Sequence, residues 1–219
     1  FSLYPITSPP GRAFRKMALF FPPTVRTAGI FTVYSHIIHQ YTRKIYQSYI
    51  GGFMEIRIKK YMISGIVFTS AAGILSHFLY QWSGKNPLLA LISPVNESTW
   101  EHMKLIFFPM LLFSLFASTR LKEAAPSLTG ALILGNLLGT LSIPILFYTY
   151  TGITGQNFFI ADLAVFFTAV LTAWGAAWKL RDSAKVFRCR ILLRSLAVLM
   201  CLLFFIFTFR VPGLPLFHA

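Results

Sequence analysis

Acid is scarce in this chain: 6 aspartates and glutamates stand against 20 lysines and arginines in 219 residues, leaving a formal charge of +14. Charged residues of both signs make up only 12%, roughly half the share of a soluble domain, too few to cover a water-facing surface. Cysteine is nearly absent. Cys189 lies in a basic stretch and Cys201 in an apolar one, which argues against a disulfide-stapled scaffold and leaves a loop thiol and a small apolar filler. There is no G-x-G-x-x-G, P-loop, G-x-S-x-G or C-x-x-C, so the short motifs for dinucleotide, nucleotide, serine-hydrolase and dithiol chemistry are missing. No repeat of about 20 to 50 residues is visible either.

What the chain has instead is apolar length, with 56% hydrophobic residues and a mean hydropathy of +0.65. Its basic residues fall in short runs between apolar segments, the pattern of helix-flanking anchors in a lipid bilayer and not of a nucleic-acid surface. A helix needs about 20 mainly apolar residues to cross the hydrocarbon core. Five stretches qualify, near 61–82, 98–118, 128–150, 158–178 and 191–210. The expected fold class is therefore an all-α, polytopic membrane bundle of about five transmembrane helices. The second stretch is long enough only if its helix starts at Ser98 or earlier; Ser98 and Glu101 fit a capping box, and Ser93-Pro94 offers an earlier start. Gly130, Gly135 and Gly139 in the third permit close helix approach, and Pro144 predicts a kink.

Lysine and arginine set the expected orientation, because cytoplasmic loops retain them. With the N-terminal side inside, the inner segments hold Arg57, Lys59 and Lys60, then Arg120 and Lys122, then Lys179, Arg181, Lys185, Arg188, Arg190 and Arg194. The outer ones hold only Lys85, Lys104 and Arg210. This arrangement corresponds to a multi-pass protein of the cell membrane, N-terminus cytoplasmic and C-terminus outside.

Residues 1–53 differ from the rest. They carry Arg12, Arg15, Lys16, Arg26, Arg43 and Lys44 but no acid, and their one apolar stretch is broken by Pro22-Pro23 and Arg26, which makes it a poor span. A targeting segment or a disordered extension would have this composition. Gly51-Gly52-Phe53-Met54 suggests something else, since GGA-GGN-UUY-AUG would place a purine-rich ribosome-binding sequence before a bacterial start codon. On that expectation residues 1–53 are translated upstream sequence and 54–219 form a single transmembrane domain.

The densest chemistry lies between the first two spans, where Asn96, Glu97, Trp100, Glu101, His102 and Lys104 fall within nine positions. If helical, Glu97 and Glu101 share a face, with Lys104 beside Glu101. The topology brings further groups to the same side: His77, Tyr80, Tyr148, Asn157, Asp162 and Arg210. Ionisable groups within spans usually face the bundle interior or a water-filled cavity, so a polar site at the outer face is expected.

Three functions are compatible with such a site. It can be a carrier or channel vestibule in which Glu97, Glu101 and Asp162 bind a cation or small solute. It can be a membrane-embedded metal-dependent hydrolase with ligands among His77, Glu97, Glu101, His102 and Asp162 and a carboxylate acting as base. It can equally be structural or interaction chemistry, with Glu97, Glu101 and Lys104 as a solvated helix start, Trp100 as an interfacial anchor and Asp162 paired with Arg210 or His77. His36 and His39 lie in the doubtful segment and His218 at the tail, so none of the three joins the candidate cluster. No cofactor or oligomeric state is implied.

The N-E-S-x-W-E-H-x-K run from Asn96 to Lys104 carries one resemblance. Residues 77–110 resemble an uncharacterised family of small bacterial multi-spanning membrane proteins. The resemblance implies a shared fold from about Met54 onward, and no activity, ligand or catalytic residue.

Overall fold

The computed structural model describes residues 28–121 and 127–218, so the N-terminal part of the doubtful segment and Lys122 of the second inner loop lie outside the described residues. The chain divides into two compact units, Phe1–Met54 and Glu55–Ala219. The described residues form an all-α protein. Its helices are α1 (Ala28–Trp82), α2 (Pro87–Ala90), α3 (Thr99–Leu121), α4 (Leu128–Thr154), α5 (Phe159–Leu180), α6 (Ala184–Arg188) and α7 (Arg190–Phe209), followed by a 3-10 turn at Pro215–Phe217. Five of them, α1, α3, α4, α5 and α7, are long and apolar enough to cross a membrane. This is a multi-pass membrane protein.

In the first unit the described side chains up to Phe53, Tyr34, Ile37, Ile38 and Tyr41 among them, are exposed. Helix α1 starts at Ala28, earlier than the expected span at 61. From there to Trp82 the sequence has no proline, and Gly51-Gly52 weakens a helix by only about 1 kcal/mol per residue without stopping it.

In the second unit, small residues set how closely the helices pack. Gly135 and Gly139 of α4 lie against Ala173 of α5, so near that a Cβ on either would collide with it. Gly130 does the same for α6, with Val186 Cγ1 3.0 Å from where its Cβ would be. These three glycines are packing residues, as the sequence indicates. At Gly65 of α1 a Cβ would overlap the Trp174 indole, whose Nε1 donates to Thr69 Oγ1 at 3.2 Å.

Gly73 of α1 has a more specific part. A Cβ there would lie 2.6 Å from the Leu105 carbonyl oxygen and 2.7 Å from Phe166 Cζ. That carbonyl belongs to α3 and lacks its usual donor four residues on, because position 109 is proline. The missing side chain of Gly73 and the missing N–H of Pro109 therefore bring α1 against α3 one turn below His77. Between α3 and α4 the tie is polar: buried Asn136 donates through Nδ2 to the Phe107 carbonyl at 3.0 Å.

Helix α4 ends at Gly155, whose φ of 73° is left-handed and whose N–H reaches the Thr151 carbonyl at 2.8 Å, a glycine-specific stop. The chain then reverses into α5. At the same end of the unit Trp100 is buried among Phe204 (4.8 Å), Phe217 (4.9 Å) and Phe207 (5.6 Å), measured between ring centroids. Trp100 is thus a core residue tying α3 to α7 and the 3-10 turn, and not the interfacial anchor expected from its position.

Candidate functional site

Helix α3 starts at Thr99, not at Glu97, and this decides how the acidic run is used. The Asn96 side chain accepts the Ser98 N–H at 2.9 Å, and Ser98 Oγ accepts the Glu101 N–H at 3.4 Å, a serine cap of the expected kind. Glu101 does not complete a capping box, because its carboxylate accepts the Val95 N–H at 3.0 Å instead. With the cap at Ser98, Glu97 stands outside the helix and does not share a face with Glu101.

The two acids consequently go opposite ways. Glu101 turns inward to Lys104, whose Nζ donates to Glu101 Oε2 at 2.7 Å, to Thr208 Oγ1 at 2.6 Å and to the Ala90 carbonyl at 2.9 Å. All three ammonium protons are used, and the pair is fully buried. It joins the end of α2, the start of α3 and the end of α7. The sequence reading of Glu101 and Lys104 as a solvated helix start is therefore corrected.

Glu97 remains 71% exposed, its carboxylate between two imidazoles: His102 Nε2 at 3.4 Å and His77 Nε2 at 3.8 Å. The two rings are 5.3 Å apart between centroids. One ligand atom from each of His77, Glu97 and His102 lies within 4.8 Å of the others. The other nitrogen of His102, Nδ1, is 2.9 Å from the Ser98 carbonyl oxygen. A carbonyl only accepts, so Nδ1 carries a hydrogen, which leaves Nε2, the nitrogen facing Glu97, as the one that can ligate. Metal-binding histidines are commonly oriented by this kind of bond. His77 Nδ1 is buried with no protein partner.

The cluster forms part of the wall of a cavity of about 590 Å³. Asp162 and Asn157 line it from the α4–α5 side, Tyr148 from α4 and His218 from the tail. Asp162 accepts a hydrogen bond from the Tyr150 hydroxyl, so its partner is a neighbour across the α4–α5 turn and not the Arg210 or His77 expected. Arg210 is exposed and makes no ion pair among the described residues. Tyr80, Asn96, Trp100, Glu101, Lys104 and Arg210 do not line the cavity. His218, set aside on sequence, does. Buried Phe217 docks on Trp100 and Phe207, which delivers His218 to the site.

Residues 53–219 match the model of a family of unknown function, DUF6512. The chain belongs to DUF6512. No curated protein and no solved structure matches it. Membership in DUF6512 brings no reaction with it, so function rests on the cavity and its ligand atoms.

Proposed function

We propose that this DUF6512 member is a membrane-embedded, metal-dependent hydrolase whose ion is held by His77, Glu97 and His102. The observation that carries the reading is the convergence of two imidazoles and one carboxylate within 4.8 Å, with His102 fixed by the Ser98 carbonyl at 2.9 Å. Two histidines and a glutamate are a ligand set of catalytic zinc, which keeps further positions for water and substrate. Bonds of about 2.1 Å at tetrahedral angles separate ligand atoms by roughly 3.4 Å. Glu97 already stands 3.4 Å from His102 Nε2 and 3.8 Å from His77 Nε2, close to that spacing.

An ion held by these three residues would supply polarisation of the scissile group and acidification of a bound water. In that hydrolysis the water oxygen would bond to the electrophilic carbon or phosphorus as the bond from that centre to its leaving oxygen or nitrogen breaks. Asp162, in the same cavity and hydrogen-bonded by Tyr150, is the carboxylate that would carry the water's proton to the leaving atom. A carrier or channel reading asks three carboxylates to share a vestibule. Burial of Glu101 against Lys104 takes one of those three away from the cavity. The distribution of lysine and arginine supports a cytoplasmic N-terminal side, which puts the cavity on the outer face of the cell membrane.

Elemental analysis of the purified chain tests the metal. About one transition-metal ion per chain is expected in the wild type, and loss of it in His77→Ala and His102→Ala. A wild-type protein without stoichiometric metal overturns the hydrolase.

A further inference from the structure

We propose that the cavity takes the hydrocarbon chain of a membrane amphiphile, admitted sideways from the bilayer between α1 and α5, with its head group at His77, Glu97 and His102. This names a substrate class and rests on the hydrolase reading for its chemistry, though not for binding.

On each of four helices a polar lining residue stands outside a deeper apolar one, with Phe78 and Phe159 at the rim. On α1 the cavity is lined by His77 and then, deeper, Ile74; on α5 by Asp162 and then Phe166. On α3 the order is His102 and then Leu105, and on α4 Tyr148 and then Ile143. At 1.5 Å per residue these steps are about 4.5 to 7.5 Å along the helix axes. A polar mouth over an apolar floor matches a lipid standing in its own leaflet, head at the interface and chain inward. A hydrophilic solute would leave the floor without a favourable partner.

The size agrees. About 590 Å³ falls within the ordinary range for organic ligands and far exceeds what one ion and its waters fill.

The entrance follows from exposure. Phe78 of α1 and Phe159 and Leu163 of α5 line the cavity and yet are themselves exposed, Phe159 to 81%. Where a spanning helix lies in the hydrocarbon core its exposed apolar side chains have lipid as their neighbour, and Phe159, at the first position of α5, stands at the edge of that zone. The same residues thus border the cavity and the hydrocarbon.

The full chain in phosphatidylcholine nanodiscs containing a trace of palmitic acid with a mid-chain diazirine provides the test. After irradiation, labelled residues are located by peptide mass spectrometry. Bulk lipid does not reach Ile143 and Phe166, which are 5% and 8% exposed. Labelling is expected there, as well as on lipid-facing Leu199 and Leu202 of α7. Ile74→Trp or Leu163→Trp fills the floor or the entrance from a partly exposed position, and either lowers labelling of Ile143 and Phe166 by about tenfold without changing Leu199 and Leu202. Labels confined to α7 and other exposed surfaces overturn the proposal. In His102→Ala the deep labels are expected to persist, because the walls hold the chain. Deep labelling without stoichiometric metal in the wild type would keep the amphiphile and remove the hydrolase; metal without deep labelling would do the reverse.

Discussion

Lys104 and Glu101 sit one turn apart on α3 and meet at 2.7 Å with 0% and 3% of their side chains exposed. Burying two charges costs several kcal/mol per ion unless the pair is close and its remaining hydrogen-bonding groups are satisfied. Here Thr208, Ala90 and Val95 supply those partners. Lys104→Met leaves an unpaired carboxylate and is expected to cost about 3–5 kcal/mol. The double variant Lys104→Met/Glu101→Leu should recover most of that loss. Thermal unfolding in detergent reads both, and a double variant no more stable than the single would contradict the account.

Metal binding should stabilise the native chain. After chelator treatment, zinc added at a hundred times its dissociation constant is expected to contribute about 2.7 kcal/mol, seen as a raised melting temperature. His77→Ala and Glu97→Gln should abolish the response while leaving the chelated baseline close to the wild type. An equal response in the variants would place the ion elsewhere.

Gly73 and Gly152 offer a matched pair. A methyl group at Gly73 would meet the Leu105 carbonyl at 2.6 Å and Phe166 Cζ at 2.7 Å, whereas none of the surrounding atoms lies within 4 Å at Gly152. Gly73→Ala is expected to destabilise the protein and to weaken metal affinity, by pushing His77 away from His102. Gly152→Ala in α4 should be neutral or stabilising by up to about 1 kcal/mol. Equal effects of the two would argue against the close contact of α1 with α3.

Cys189 is an exposed free thiol between α6 and α7, among the basic residues proposed to be cytoplasmic. In a Cys201→Ser background, a membrane-impermeant maleimide should leave Cys189 unlabelled in intact cells and modify it after permeabilisation. Labelling of intact cells would invert the orientation and move the cavity to the inner face.

The spans were legible because crossing a bilayer demands apolar length, and five helices of that kind are present. Gly135 and Gly139 were legible for a similar reason, as small residues one turn apart. The use of the acidic run was not. Treating Glu97 and Glu101 as neighbours on a helix ignored that a cap at Ser98 leaves Glu97 outside it, and one residue's difference in the start sends the carboxylates to opposite environments. The Tyr150–Asp162 bond spans a reversal at Gly155, which charge matching alone does not reveal. His218 carried no signal of its own. Pro215 and Phe217 beside it were the usable hint, because an aromatic in a short proline-bounded tail invites docking on the bundle.

The hydrogen bond from His102 Nδ1 ends on the main chain of Ser98, and no side-chain replacement at position 98 deletes a carbonyl. Ser98→Ala would weaken the cap yet keep the imidazole's tautomer. The orientation of this ring is therefore inherited from the first turn of α3. It is lost when that turn unwinds, so the buried neighbours that hold the turn, Glu101 and Met103, guard how Nε2 is presented.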